Sequence, residues 1–187
     1  ASNNEHNFGI DGTSYADFTT HTIDTTNTVE GKPVYYIKGI SDSIYNADIN
    51  AGTIYLINCK NVTVRNLNLT KNSCGILLWN TTQSRIENVS VSENLYGVRL
   101  EKSPNNTIIL NNIVSNQYGI RVKDCNETRI IQNKVAENQF GLYMNNSMLN
   151  SVSKNLISKN TADGIHLEYS SNNTITQNTI AENGELS

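Results

Sequence analysis

The chain is poor in residues that bind metals or form disulfides. Its 187 residues include three cysteines, three histidines and two methionines. Three cysteines do not make a disulfide framework, and no spacing of cysteine, histidine or methionine resembles a zinc or copper site. We therefore expect no metal site and no cofactor.

Long apolar runs and an excess of positive charge are also missing. No run approaches the ~18 apolar residues of a membrane span, and no segment has the pattern of a signal peptide. The formal net charge is −3, whereas a nucleic-acid-binding domain needs a clustered basic surface. We expect no membrane span and no nucleic-acid partner in this chain, which is either a mature protein or a fragment.

Asparagine is abundant instead, at 31 of 187 residues, and much of it recurs at a fixed spacing. Over the last two-thirds of the chain, a glycine and an asparagine each return every 22 or 23 residues. The glycines are Gly75, Gly97, Gly119, Gly141 and Gly164, and the asparagines are Asn72, Asn94, Asn116, Asn138, Asn160 and Asn183. A period of this length indicates stacked supersecondary units.

Between the glycines, apolar residues alternate with variable ones and do not recur at helical spacing. One repeat has Ile120 and Val122 just after its glycine, and then Ile130 and Val135. Alternation predicts strands, and three short strands are too few for a sheet within one repeat, so each must pair with its counterpart in the next coil. The sequence predicts an all-β fold: a right-handed, single-stranded parallel β-helix of about six coils, with three short strands per coil.

The predicted β-helix spans residues 51–187, whereas residues 1–50 do not fit the register. We interpret residues 1–50 as an N-terminal cap with a hairpin and an irregular first coil, which covers an exposed strand edge. The C-terminal end has no equivalent cap, so it is either a fragment boundary or an end that stacks on a partner or on itself. Because buried amides need partners, we predict amide ladders along the asparagine column and along a second, shorter column. The second column is Asn111, Asn133, Asn155 and Asn178.

The repeat also predicts whether Cys59 and Cys125 can form a disulfide. Cys59 and Cys125 occupy the same repeat position three coils apart. With a coil spacing of about 4.8 Å, they lie beyond the reach of a disulfide. We predict that both are buried free thiols.

The repeat cycle is clearest at Gly164-Ile165-His166-Leu167, followed by the segment 170–175. It resembles the NosD-type repeat, also called the carbohydrate-binding and sugar-hydrolase repeat, and residues 23–36 resemble the lead-in to such helices in archaeal, notably methanogen, surface proteins. The resemblance covers roughly residues 23–184 and implies a parallel β-helix at the cell surface or outside the cell. The family includes polysaccharide lyases, epimerases, surface-layer components and a periplasmic copper-enzyme maturation factor, so the fold does not choose the function.

One predicted outer face mixes aromatic, basic and acidic side chains. Its candidate ligand-binding residues are Tyr55, Trp79, Arg99, Glu101, Arg121, Lys123, Tyr143, His166 and Glu168. Aromatic rings pack on sugar rings, and arginine binds carboxylates through two parallel hydrogen bonds. The pattern predicts that a polysaccharide lies along the solenoid. Ladders of aromatic and charged side chains also stabilise sheets without a ligand, so a pure scaffold remains an alternative.

Catalysis has a weaker basis in the sequence. Asp163 and His166, with Arg121 two coils away, are the local grouping that offers the base and the positive charge needed by a uronate lyase or epimerase. Aspartate before glycine is also ordinary in turns. We expect a cell-surface or extracellular module that is a rigid scaffold, with polysaccharide as its candidate partner. The alternatives are a polysaccharide lyase or epimerase, and a NosD-like maturation factor for a metalloenzyme.

Overall fold

A computed structural model describes residues 6–184, and 21 short strands account for much of that chain. The two helices are α1, Tyr15–Thr19, and a 3₁₀ helix, Ala47–Ile49. In chain order the strands are β1 Thr28–Val29, β2 Lys32–Lys38, β3 Ser41–Tyr45, β4 Thr53–Ile57, β5 Lys60–Arg65, β6 Asn68–Thr70, β7 Cys74–Trp79, β8 Arg85–Glu87, β9 Ser90–Ser92, β10 Tyr96–Glu101, β11 Thr107–Ile109, β12 Asn112–Val114, β13 Tyr118–Lys123, β14 Arg129–Ile131, β15 Lys134–Ala136, β16 Phe140–Asn145, β17 Ser151–Ser153, β18 Leu156–Ser158, β19 Ile165–Glu168, β20 Thr174–Thr176 and β21 Thr179–Ala181. Neither helix has the length and apolar character needed to cross a membrane.

The strands form three sheets that run side by side along a solenoid. The first sheet has the order β1-β2-β4-β7-β10-β13-β16-β19, the second β3-β5-β8-β11-β14-β17-β20, and the third β6-β9-β12-β15-β18-β21. Every pairing is parallel except the β1–β2 hairpin. The predicted all-β parallel β-helix is confirmed. It has about seven turns rather than six, because β2 and β3 form an additional turn within the residues interpreted as a cap.

The interior is a stack of equivalent side chains in register. In the first sheet, Val98 lies beside Ile76 on one side and Ile120 on the other. These residues belong to one buried apolar cluster that runs through the solenoid. Removing such side chains from water is the main favourable term in folding, and each turn achieves it only by covering its neighbour.

Buried amide ladders link the turns at the corners, as predicted. The Asn138 Oδ1 accepts hydrogen bonds from the Asn116 backbone N–H at 2.9 Å and the Asn116 Nδ2 at 3.0 Å, and the Asn138 Nδ2 donates to the Asn160 Oδ1 at 3.1 Å. The second predicted ladder is also formed, with the Asn111 backbone N–H donating to the Asn133 Oδ1 at 3.0 Å. From Asn94 onward, each buried ladder amide therefore has the partner that burial requires, whereas the Asn72 Oδ1 at the start of the first column accepts no hydrogen bond within residues 6–184.

A left-handed residue comes just before each buried corner residue. Leu110 and Ser115 have φ of 57° and 56°, and the residue that follows each one is a ladder asparagine. This conformation costs about 1–2 kcal/mol for a residue with a side chain. The bends are thus maintained by the hydrogen bonds of the ladders.

The column of glycines recurs for a different reason. Its members, such as Gly119, do not adopt the left-handed φ of the corner residues. A Cβ atom on Gly119 would lie 2.7 Å from the Gly141 carbonyl oxygen and 2.8 Å from the Val135 Cγ1. Only glycine allows the first sheet to approach the third so closely at this corner. The recurring glycine therefore marks a packing contact between turns.

The N-terminal segment packs on the outside of the first sheet, and we call residues 6–20 the strap. The Asn7 N–H donates to the Lys71 carbonyl at 2.9 Å, and the Ser73 N–H donates to the Phe8 carbonyl at 2.8 Å. Within the strap, Ser14 and Asp17 form a reciprocal capping box at the start of α1. The strap positions its apolar side chains over the early turns of the solenoid.

All three cysteines are free and buried, which confirms the prediction for Cys59 and Cys125. Burial raises the pKa of the Cys74 thiol to about 11 and that of the Cys125 thiol to about 12. Both thiols are therefore protonated near neutral pH and are poor nucleophiles.

We predict that Asn138→Ala destabilises the solenoid by at least about 2 kcal/mol, since each buried donor left without an acceptor costs about 1–3 kcal/mol. The Asn116 backbone N–H loses its acceptor in this variant. Guanidinium denaturation with an unchanged m-value would measure the loss.

The matched control is Asn112→Ala, because Asn112 points outward from β12 and is exposed. We expect its effect to stay within about 0.5 kcal/mol, as for ordinary surface positions. Equal effects of the two substitutions would contradict the structural role assigned to the ladder.

Candidate functional site

The strap covers the N-terminal half of the outer face on which the ligand-binding residues were predicted. Four of them are almost completely buried, with exposed fractions of 0–3%. They are Tyr55, Trp79, Arg99 and Glu101. The expectation that these four side chains form an exposed face is therefore wrong in this structure, because residues far away in the sequence fold over them.

Aromatic packing holds the strap in place. Phe18 is fully buried and stacks on Trp79 with ring centroids 5.1 Å apart and an interplanar angle of 18°. Phe8 meets Tyr55 edge to face at 5.4 Å. Such pairs contribute about 0.5–1.5 kcal/mol beyond the burial of their area. Phe18 and Phe8 of the strap thus cover the rings of Trp79 and Tyr55, on which the sequence analysis predicted that a sugar would pack.

A buried charge cluster lies at the edge of the strap. The Arg99 Nη2 contacts the Glu101 Oε2 at 2.7 Å, the Arg99 Nη1 contacts the Asp11 Oδ1 at 3.1 Å, and the Lys123 Nζ contacts the Glu101 Oε1 at 3.2 Å. Burial opposes the charge on Arg99, but the neighbouring Cys74, Glu101 and Asp11 raise its pKa. The guanidinium is therefore charged at every physiological pH.

Beyond the strap, the side chains of the C-terminal half of the same face are partly exposed to solvent, and Tyr96 at the border packs against the apolar cluster beneath the strap. Tyr96, Tyr118 and Phe140 form a column with centroid distances of 5.3 and 5.1 Å and nearly parallel rings. The Arg121 guanidinium lies 5.3 Å from the centre of the Tyr96 ring. We call this part of the surface the exposed face, made up of the side chains of Tyr96, Arg121, Lys123, Tyr118, Phe140, Tyr143, His166 and Glu168.

The last turns carry a hydrogen-bonded cluster. The Tyr143 and His166 rings stack at 4.9 Å with an interplanar angle of 3°. The Tyr143 hydroxyl donates to the Glu168 carboxylate, the Asn145 Nδ2 donates to the same carboxylate at 2.8 Å, and the His166 Nδ1 lies 2.6 Å from the Asp163 Oδ2. The hydrogen bonds from Tyr143 and then from Asn145 lower the pKa of Glu168, and the bond to Glu168 raises the pKa of Tyr143.

Five of the predicted ligand-binding residues therefore meet on the exposed face. In the first-sheet register, Arg121 pairs with Tyr143, Tyr143 with His166, and Lys123 with Asn145. Tyr143 lies between Arg121 and His166, two of the three residues of the predicted catalytic grouping, whose third member is Asp163. The column of Tyr96, Tyr118 and Phe140 was not among the predicted site residues, although its 22-residue spacing and position before the glycine were visible in the sequence.

The chain is similar to known proteins in its sequence pattern and in its fold. A family model described as "Periplasmic copper-binding protein (NosD)" matches residues 14–186. No curated protein sequence matches the chain significantly. Among solved structures, a double mutant of the periplasmic alginate epimerase AlgG superposes with a TM-score of 0.67 and 16% identity, covering 79% of this chain and 42% of that one. A single mutant of the same epimerase gives 0.60 and 19%, covering 67% and 39%.

These similarities support the fold and leave the activity open. The chain spans about two fifths of the length of the epimerase chains that it resembles. At these identities, the likeness shows only that both are parallel β-helices.

The copper named in the family description can be tested against the side chains present. Copper favours thiolate, thioether and imidazole ligands. Across residues 6–184, no group of three or more histidine, cysteine, aspartate or glutamate side chains is arranged to hold a metal ion. Met144 is fully buried in the apolar core, and the thiols of Cys74 and Cys125 are buried and protonated. The described residues therefore do not fit a copper site.

The Glu168 cluster generates a prediction about pH. A carboxyl group whose pKa is lowered in the folded state stabilises the fold above its unfolded pKa, and this contribution is lost as pH falls through the folded value. We expect Tyr143→Phe to be destabilising near neutral pH. The difference from the parent should shrink as pH falls below the ordinary glutamate pKa of 4.5.

Denaturation curves at a series of pH values would measure this effect. Tyr169→Phe is the control, because Tyr169 is 83% exposed. A destabilisation by Tyr143→Phe that is constant from neutral to acid pH would show that the Tyr143–Glu168 contact does not set the pKa of Glu168.

Proposed function

The chain belongs to the family described as periplasmic copper-binding protein (NosD), and from this premise and the geometry of the exposed face we propose that it is a rigid β-helix module that binds a uronate-containing polysaccharide outside the cytoplasm. The observation that carries the proposal is the column of Tyr96, Tyr118 and Phe140 beside Arg121. Within residues 6–184, Arg121 has no carboxylate partner. It is therefore available to an acidic ligand.

The two kinds of side chain suit the two parts of an acidic sugar. The ring faces of tyrosine and phenylalanine cover the apolar C–H surface of a sugar, while the fork of a guanidinium matches a carboxylate. Turns of the solenoid repeat at about 4.8 Å, which is close to the length of one sugar residue. An extended chain that lies along the solenoid therefore meets equivalent side chains at each step.

The comparisons support this choice of ligand and location. The family description names the periplasm, and the similar solved structures are described as a periplasmic alginate epimerase. Alginate is a polymer of uronic acids, so a related fold is suited to an acidic glycan. The module acts as a scaffold in this proposal, and its binding requires no metal.

Arg121→Ala should weaken binding of oligomannuronate by about tenfold to a hundredfold, because a hydrogen bond to a charged group is worth about 1.5–3 kcal/mol. Isothermal titration calorimetry with oligomannuronate and with neutral dextran would measure this change. Arg129→Ala is the matched control, since Arg129 lies in the same turn but on the second sheet and is exposed.

The expected pattern is loss of oligomannuronate binding in the Arg121 variant alone, with no binding of dextran. Equal affinities of the Arg121 and Arg129 variants would reject the exposed face as the binding site. Absence of oligomannuronate binding by the parent protein would reject the proposal itself.

The contact between His166 and Asp163 favours a second candidate, a lyase or epimerase that acts on the same polysaccharide. In this alternative, Asp163 orients the imidazole through Nδ1, so Nε2 is free to remove the proton beside the uronate carboxylate. A positive charge stabilises the anion that forms, and Arg121 is in the same row of the sheet.

Catalysis would be seen as an unsaturated product or as a changed configuration at C5 of oligomannuronate, followed by NMR. His166→Ala should abolish either reaction while leaving binding within about tenfold of the parent. Turnover that persists in His166→Ala excludes this assignment, and no turnover by the parent leaves the scaffold as the function.

A further inference from the structure

The charge cluster beside the strap contains one more positive charge than the solenoid itself balances. Within the solenoid, the cations Arg99 and Lys123 share the single carboxylate of Glu101. The second carboxylate comes from Asp11 of the strap, which binds both Arg99 Nη atoms at 3.1 Å. The Arg99 side chain is 4% exposed, whereas that of Asp11 is 74% exposed. A carboxylate from solution can therefore replace that of Asp11 with little rearrangement of the solenoid.

The surface beneath the strap has polar atoms that the strap does not satisfy. The Trp79 Nε1 and the Arg99 Nε are buried and make no hydrogen bond within residues 6–184. Buried polar groups are nearly always paired in native proteins. Phe18 covers the Trp79 ring without offering its Nε1 an acceptor. When α1 moves away, hydroxyl and carboxylate oxygens of a sugar chain would supply these partners.

The part of the strap that carries Asp11 is attached to the solenoid by a few polar contacts: the Asp11–Arg99 ion pair, a hydrogen bond from the Lys102 Nζ to the Thr13 carbonyl at 3.4 Å, and one from the Asn58 Nδ2 to the Tyr15 hydroxyl at 3.1 Å. Ile10 and Phe18 are buried on either side of it, while Tyr15 is 61% exposed. The turn is held together internally, because the Asp17 Oδ2 accepts hydrogen bonds from the backbone N–H groups of Thr13 and Ser14 at 2.9 and 2.8 Å. Because Phe18 belongs to α1, the turn can lift as a unit together with α1 once these contacts with the solenoid break, while Ile10 stays in place.

We propose that Asp11 occupies a carboxylate subsite of the polysaccharide-binding surface, and that a uronate carboxylate takes its place on Arg99 when the turn of residues 11–17 lifts. This inference rests on the proposed function. It adds that the Asp11 carboxylate competes with the polysaccharide for Arg99. Arg99 and Arg121 both lie over the Tyr96 ring, at 5.0 and 5.3 Å. The hidden subsite is therefore continuous with the exposed face, and the strap limits the site to the C-terminal turns.

Three variants of the full chain test the competition. Asp11→Asn removes the competing carboxylate, Asp11→Glu keeps it, and Asp124→Asn removes a nearby carboxylate that contacts Asn146 rather than an arginine. Oligomannuronate affinity would be measured by calorimetry for each variant, with neutral dextran as the second probe. Thermal denaturation would check that each variant is folded.

We expect Asp11→Asn to bind oligomannuronate about tenfold more tightly than the parent, as for one charge-assisted hydrogen bond gained. Asp11→Glu should match the parent, and Asp124→Asn should stay within about twofold because exposed charges are screened by salt.

The inference is overturned, while the proposed function stands, if the parent binds through Arg121 and Asp11→Asn binds no more tightly. It is also overturned if Asp124→Asn gains as much as Asp11→Asn, since the gain would then be a general charge effect. If neither the parent nor Asp11→Asn binds oligomannuronate, both the inference and the proposed function are rejected.

Discussion

The structure depends on the contact between equivalent residues in successive turns. A single turn has no closed set of hydrogen bonds and no core of its own, because its strands pair only with strands of other turns. The ladder asparagines connect turns twice, once through the side-chain amide and once through the backbone N–H of the turn before. A change at one position therefore affects its neighbours above and below, as in other repeat proteins.

This dependence explains which part of the sequence varies and which does not. Residues that face the interior must match the residue one turn away, so the chain repeats isoleucine, valine, asparagine and glycine at fixed positions. Residues that face outward from the first sheet are free of that requirement, and there the repeat changes from Tyr55 to Leu77 to Arg99. The scaffold and the proposed binding surface are thus specified by different positions of the same strands.

The interior was predictable from the sequence for this reason, and much of the outer face was not. The 22-residue period fixes which residues stack, so the sheets, ladders and buried thiols follow from spacing alone. The strap has no such period. Asp11 contacts Arg99 across 88 residues of sequence, and nothing in the spacing of Phe8 or Phe18 indicates the turn that each covers. Consequently, the repeat spacing correctly predicts that Arg121 and Tyr143 are neighbours on the outer side of the first sheet. It gives no sign that the strap buries Trp79.

The two halves of the outer face, taken together, support our proposal that the open half binds a ligand. A pure scaffold would explain aromatic and charged rows equally well if both halves were satisfied internally. In the covered half, however, the chain supplies a ring for Trp79 and a carboxylate for Arg99. In the open half, the column that ends at Phe140 and the guanidinium of Arg121 have the same chemistry without that cover. The groups that the strap places on the covered half, an aromatic ring beside a carboxylate, resemble in chemistry the apolar ring faces and carboxylates of the proposed ligand.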